Sequence, residues 1–198
     1  MRNKTIIFFC IFIVIFVFNN QAQLRLKTVG TSLGVGTMSG NSPQIFSSSL
    51  SLFSDVSIES STPVELRLQL SLLNDFNKLI PENRQNKYYP SLRGVSVQML
   101  FQQQMFKKIY FEEGFGPLVI NDRTFSDVNL WSYGAVFSFS AGINFVEKGE
   151  KGFSLALISE LGNTFTQTTP QYLSIALQLK YLNWKLYAKK KLSISWQP

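Results

Sequence analysis

The sequence predicts an all-β chain: a closed, antiparallel, up-and-down barrel of eight strands that crosses a membrane. Three observations lead there. Apolar and polar side chains alternate with period two along segment after segment, compact connections alternate with a longer polar one, and aromatic residues gather near the segment ends. Successive side chains of a strand point to opposite faces, so each alternating segment has one apolar and one polar face.

At the N-terminus, Arg2 and Lys4 precede an apolar run from Ile6 to Phe18 that stops at Asn19-Asn20-Gln21. A transmembrane helix needs about 20 apolar residues, so the length and flanks predict a signal peptide over 1–22, cut after Ala22 or Gln23, over an uncleaved anchor helix. Cys10, the only cysteine, lies inside this run, too early to be the lipidated first residue of a lipoprotein. The mature chain therefore has no disulfide, and it must be stabilised by a packed core or by membrane burial. Histidine is absent as well, so the commonest zinc, iron–sulfur and other transition-metal ligands are missing and neither a metal nor a cofactor is expected.

Eight candidate strands follow, at 24–38, 44–58, 63–73, 92–104, 108–120, 128–145, 152–164 and 171–183, giving one domain over 23–183. The clearest sets Val64, Leu66, Leu68, Leu70 and Leu72 against Glu65, Arg67, Gln69 and Ser71; another runs from Trp131 to Phe145. In the first strand the apolar parity changes around Val29-Gly30, which predicts a bulge there. The links 59–62, 105–107 and 146–151 are compact, whereas 74–91 is long and carries Asn74, Asp75, Asn77, Pro81, Glu82, Asn83, Asn86 and Pro90, which do not suit a strand ladder. Membrane barrels have short periplasmic turns and longer external loops. An N-terminus in the periplasm puts every compact link on that side and 74–91 outside.

Aromatic residues near membrane interfaces form girdles. Phe106, Phe145, Phe153, Tyr181 and Trp184 fall at one set of strand ends, and Phe46, Trp131 and Tyr133 at the other. The alternative is a soluble lipocalin-like barrel with its apolar face turned inward, leaving Glu65, Arg67, Gln98, Gln102, Glu112 and Lys180 outside. Long apolar faces and terminal aromatics favour the membrane. The chain then resembles the small eight-stranded outer-membrane barrels of Gram-negative bacteria, of the OmpA-barrel and OmpX type. The resemblance covers 24 to about 183 and rests on the strand pattern and on a last strand, Leu173 to Tyr181, apolar at every second place. Such an ending resembles the signal read by the barrel-insertion machinery, so that machinery and outer-membrane lipid are the partners the resemblance implies. The chain departs from it in continuing to Pro198, either as a periplasmic tail or because Trp184 and Leu186 prolong the strand.

The net charge of +7 falls to +5 without Arg2 and Lys4, and Lys185, Lys189, Lys190 and Lys191 of the 184–198 tail supply four of those charges. No basic stripe with interleaved aromatics runs through the body, so nucleic acid is not an expected partner. Outer-membrane barrels that trim lipids or cut peptides use a histidine beside a serine or carboxylate, and here no general base of that kind exists. Glu112 and Glu113 are strand neighbours that point to opposite faces and cannot share a substrate. Gly30, Gly34, Gly36 and Gly40 do not match a dinucleotide fingerprint, and Lys148 to Gly152 lacks phosphate-loop spacing. Gly34, Gly36, Gly114, Gly116, Gly134, Gly142 and Gly162 are expected mostly on the lumen side, where small residues leave room for large ones opposite.

The expectation is a non-enzymatic barrel with no catalytic, cofactor or metal site. Glu65, Arg67, Glu112, Glu160 and Lys180 face the lumen in structural ion pairs, because unpaired charges there are too costly. Any recognition belongs to the loop 74–91, with Phe76, Leu79, Ile80, Tyr88 and Tyr89 as contacts, unless the two tyrosines serve the outer girdle and the others pack on the rim. Two other readings stand beside it: a transport or secretion accessory whose basic tail docks a periplasmic partner, and a histidine-free lipid-modifying enzyme.

Overall fold

The computed structural model describes residues 24–58, 64–80, 88–106, 108–126, 129–146, 151–166 and 168–183. The signal peptide and the basic tail expected from the sequence lie outside the described residues. Eight strands run in chain order: β1 (Leu24–Ser39), β2 (Ile45–Ile58), β3 (Val64–Asp75), β4 (Ser91–Gln104), β5 (Ile109–Arg123), β6 (Leu130–Asn144), β7 (Lys151–Thr164) and β8 (Gln171–Asn183). Each pairs antiparallel with its neighbours, and β8 returns to β1, so the sheet is a closed barrel with no free edge. No helix among the described residues is long and apolar enough to cross a membrane.

We call the end where β1 begins and β8 finishes the base; it carries the turns after β2, β4 and β6. The mouth carries the loops after β1, β3, β5 and β7. The segment after β3 begins with a single 3₁₀ turn, Phe76–Leu79, started by Asp75, whose carboxylate accepts the Asn77 N–H at 2.9 Å. Asn74 and Asp75 belong to the ladder after all, opposite Ser91 and Ser47 respectively, because their neighbours on both sides supply backbone partners that outweigh their turn preference.

The bulge in β1 is likewise displaced. It lies at Lys27, between the pairs Leu26–Val56 and Thr28–Asp55, and not at Val29-Gly30. Placing Lys27 there lets Leu26 and Val29 both face outward while Lys27 and Thr28 turn toward the lumen. A second irregularity is at Gly116-Pro117 in β5, where the pairing with β4 skips from Ser96–Leu118 to Met99–Phe115; proline has no N–H to give the ladder.

The barrel is inside-out relative to a soluble protein. Leu33, Phe137 and Leu157 are 62%, 56% and 60% exposed on the outer face, whereas Arg67, Gln98 and Gln178 are 0% exposed within. The lipocalin-like arrangement is thereby excluded: Arg67, Gln98, Glu112 and Lys180 are all buried. Inside, large rings sit over glycines. Gly30 is the cross-strand partner of Phe53, Gly142 of Tyr110 and Gly162 of Tyr172, and a β-carbon at any of the three would collide with that ring. A lumen of eight strands has room for side chains and little more.

Candidate functional site

Inward positions of the strands stack into layers, and chemistry changes from base to mouth. Nearest the base, the Lys27 ammonium bonds the Glu65 carboxylate and donates to Gln102 Oε1 at 3.3 Å. One layer further in, Arg67 of β3 grips Asp55 of β2 with two parallel bonds, Nε to Oδ1 at 2.7 Å and Nη2 to Oδ2 at 2.9 Å. Its Nη2 also reaches Glu112 Oε1 on β5 at 2.9 Å. Across the lumen, Lys180 of β8 donates to both oxygens of Glu112, at 2.8 and 2.7 Å. Two cations and two carboxylates thus make a neutral, fully buried quartet that ties four strands together. Arg67 stacks over the Phe53 ring at 4.3 Å and Lys180 lies 5.2 Å from the Tyr110 ring, so the aromatic fillers also cushion the charges.

Above the quartet the polar groups are mostly neutral. Glu160 accepts from Tyr172 Oη at 2.5 Å and Gln69 Nε2 at 2.6 Å, and no cation pairs with it among the described residues. Ser51, Ser71, Gln98 and Ser138 continue the network, with Ser138 Oγ donating to Gln98 Oε1 at 2.7 Å. Then the lumen turns apolar. Met38, Leu73, Leu92, Leu118, Ile120, Val136 and the Tyr172 ring form a buried cluster, with Ile45 against it, that stoppers the barrel below the mouth. Over this stopper the buried Asp122 accepts the N–H of Asn41 at 3.2 Å and both the N–H and hydroxyl of Thr124, at 2.9 and 2.7 Å, strapping two mouth loops together.

Of the five inward charges named from the sequence, Arg67, Glu112 and Lys180 meet in the quartet, Glu65 meets Lys27, and Glu160 stands in the neutral layer. Sequence reasoning missed Asp55 and Lys27. Strand β2 is so rich in serine, with Phe53 on its inward face, that its parity is hard to read, and Lys27 occupies the bulge; a search for the carboxylate that Arg67 needs could have found Asp55 on the adjacent strand.

At the mouth, Phe76 packs on Phe46 with ring centroids 5.0 Å apart, and the Tyr88 hydroxyl donates to the Arg123 carbonyl at 2.5 Å. Tyr89 is half-buried. Phe76 and Tyr88 thus engage the barrel rim, and Leu79, Tyr88 and Ile80 are 53%, 48% and 37% exposed. Residues 81–87, with Arg84 and Lys87, lie outside the described residues. Glu112 is neutralised by two cations, Glu113 faces the other way, and the described residues contain no cluster of three or more candidate metal ligands.

In structure the chain is similar to the neisserial surface protein NspA, with a TM-score of 0.53 over 81% of this chain and 99% of that one, at 5% identity. Its fold is that of the eight-stranded outer-membrane barrels. The outer-membrane barrel Ail, the attachment invasion locus protein of Yersinia pestis, solved in complex with the heparin analogue sucrose octasulfate, aligns over 79% of this chain and 98% of its own at a TM-score of 0.49 and 6% identity. No family model and no curated protein matches the sequence. The lumen of an eight-stranded barrel has room for little but side chains, which is what the quartet, the neutral layer and the stopper supply.

Proposed function

We propose that the chain is an exported, non-enzymatic outer-membrane barrel of a Gram-negative bacterium, acting through envelope structure and through its external loops. One observation carries this: the apolar belt faces out on every strand while charged and polar groups are buried and bonded within, an arrangement stable in lipid and costly in water. The mouth is then external and the base periplasmic, which fits the short base turns. Outer-membrane lipid surrounds the belt, the insertion machinery delivers the chain after the 1–22 signal is removed, and the stoppered lumen carries no ions.

Fractionation of cells tests the reading. The mature chain is expected in the outer membrane, migrating faster unboiled than boiled on gels and producing no stable channels in a planar bilayer. Recovery from the soluble periplasm would overturn it. Among the named loop contacts, Leu79, Ile80 and Tyr88 are exposed for a surface partner to bury. Protease added to intact cells is expected to cut at Lys78, Arg84 or Lys87; cutting only after permeabilisation would reverse the topology.

A further inference from the structure

The outer belt carries a carboxylate. Glu113 of β5 points outward, opposite Phe101 on β4 and Phe139 on β6, with Phe111 and Phe115 two residues before and after it on the same face. Four phenylalanines therefore surround one acid. Phe137 leans on Phe115 at 4.6 Å between ring centroids, and together with Leu161 it extends an open apolar groove away from the carboxylate. No hydrogen bond or ion pair engages Glu113 among the described residues, unlike the charges of the lumen. It stands four residues above Ile109; with a rise of about 3.4 Å per residue and a tilt of roughly 40°, that is on the order of 10 Å above the base end of β5, in the lower half of a belt about 25 Å tall.

We infer that Glu113 and its ring of phenylalanines bind the protonated amine of an aminophospholipid in the inner leaflet, with an acyl chain lying in the groove beside Phe137 and Leu161. This rests on the membrane reading above. An ionisable group on a lipid-facing surface calls for a partner, and both the carboxylate and the surrounding ring faces select a cation. The hydrocarbon setting asks that this cation come with apolar chains. A primary ammonium also has N–H groups for the carboxylate to accept, which a quaternary amine lacks. A second copy does not suit: a twofold contact through this patch would set one Glu113 against another.

The full mature chain, folded to its heat-modifiable form and reconstituted in vesicles of equal phosphatidylethanolamine, phosphatidylcholine and phosphatidylglycerol, tests this by native mass spectrometry of retained lipid. Phosphatidylethanolamine is expected to remain bound at least tenfold over either other lipid, and Glu113→Gln to reduce that preference to within twofold while the heat-modifiable band persists. Equal retention of the three lipids by the unaltered chain, or an undiminished preference in Glu113→Gln, would overturn the proposal. A photoreactive phenylalanine analogue in place of Phe137 should cross-link lipid in cells; capture of a protein would hand the site to a partner's basic side chain and overturn it as well. A chain that never forms the heat-modifiable barrel removes the membrane reading itself, an outcome distinct from a folded barrel without lipid preference.

Discussion

Two levels of one lumen solve the same problem by opposite means. Around Glu112, four strands are tied by buried charges; around Ile120, the same strand wall is closed by mostly aliphatic side chains and the Tyr172 ring. Both levels are buried and both fill the barrel. They differ in how they fail. Removing one member of an ion network leaves the others uncompensated in a poor dielectric, whereas trimming an aliphatic removes its own transfer energy and leaves a gap. The polar level is thus specific and brittle, and the apolar one is tolerant in energy but important for sealing.

The sharpest break of this comparison is Glu112→Ala, which strands Lys180 and leaves Arg67 to Asp55 alone. A loss of about 3–5 kcal/mol is expected, read as a lower denaturant midpoint for conversion of the folded gel band. Adding Lys180→Met to a Glu112→Gln background should recover part of it, because one orphaned cation is gone; no recovery would show that packing and not charge dominates that level. Next, Ile120→Ala in the stopper is expected to lose about 2 kcal/mol, the lower end for a buried aliphatic, since the gap lies just under the open mouth. Its distinguishing sign is electrical. Combined with Leu118→Ala it should admit small transient currents in a planar bilayer that the Glu112 variants do not show.

Between the levels stands Tyr172, whose ring belongs to the stopper and whose hydroxyl serves Glu160. Tyr172→Phe keeps the ring and deletes the donor, so a loss of about 1–2 kcal/mol without any current is expected; a current would mean that the hydrogen bond, not the ring, holds the seal. The smallest effect belongs to the mouth. Leu79→Ser with Ile80→Ser should shift stability by less than about 0.5 kcal/mol while weakening any surface attachment of intact cells.

Legibility followed the contrast between faces. Where the belt is apolar and the lumen polar, as in β3, β6 and β8, strand extent and face can be read from alternation, and Arg67, Glu112 and Lys180 are placed inward on parity alone. Near the mouth the lumen becomes apolar too: Leu72-Leu73 and Leu118-Val119-Ile120 point apolar groups both ways, alternation vanishes, and the stopper is invisible in the sequence. Parity also says nothing of which inward residues touch. The Asp55 partner of Arg67 depends on cross-strand register, and the register of β1 turns on a one-residue bulge. Glu113 was placed outward by its neighbour's inward position, but the four rings around it come from three strands and only their pairing assembles them.

The rings seated over Gly30, Gly142 and Gly162 carry a consequence for descent. Each ring and its glycine occupy one shared volume from two neighbouring strands, so neither can change size alone without a clash or a hole. A lineage can shrink Tyr172 and then admit a side chain at 162, but not in the reverse order. Related sequences should therefore show these three couples altered together or not at all, a record of contact written in inheritance.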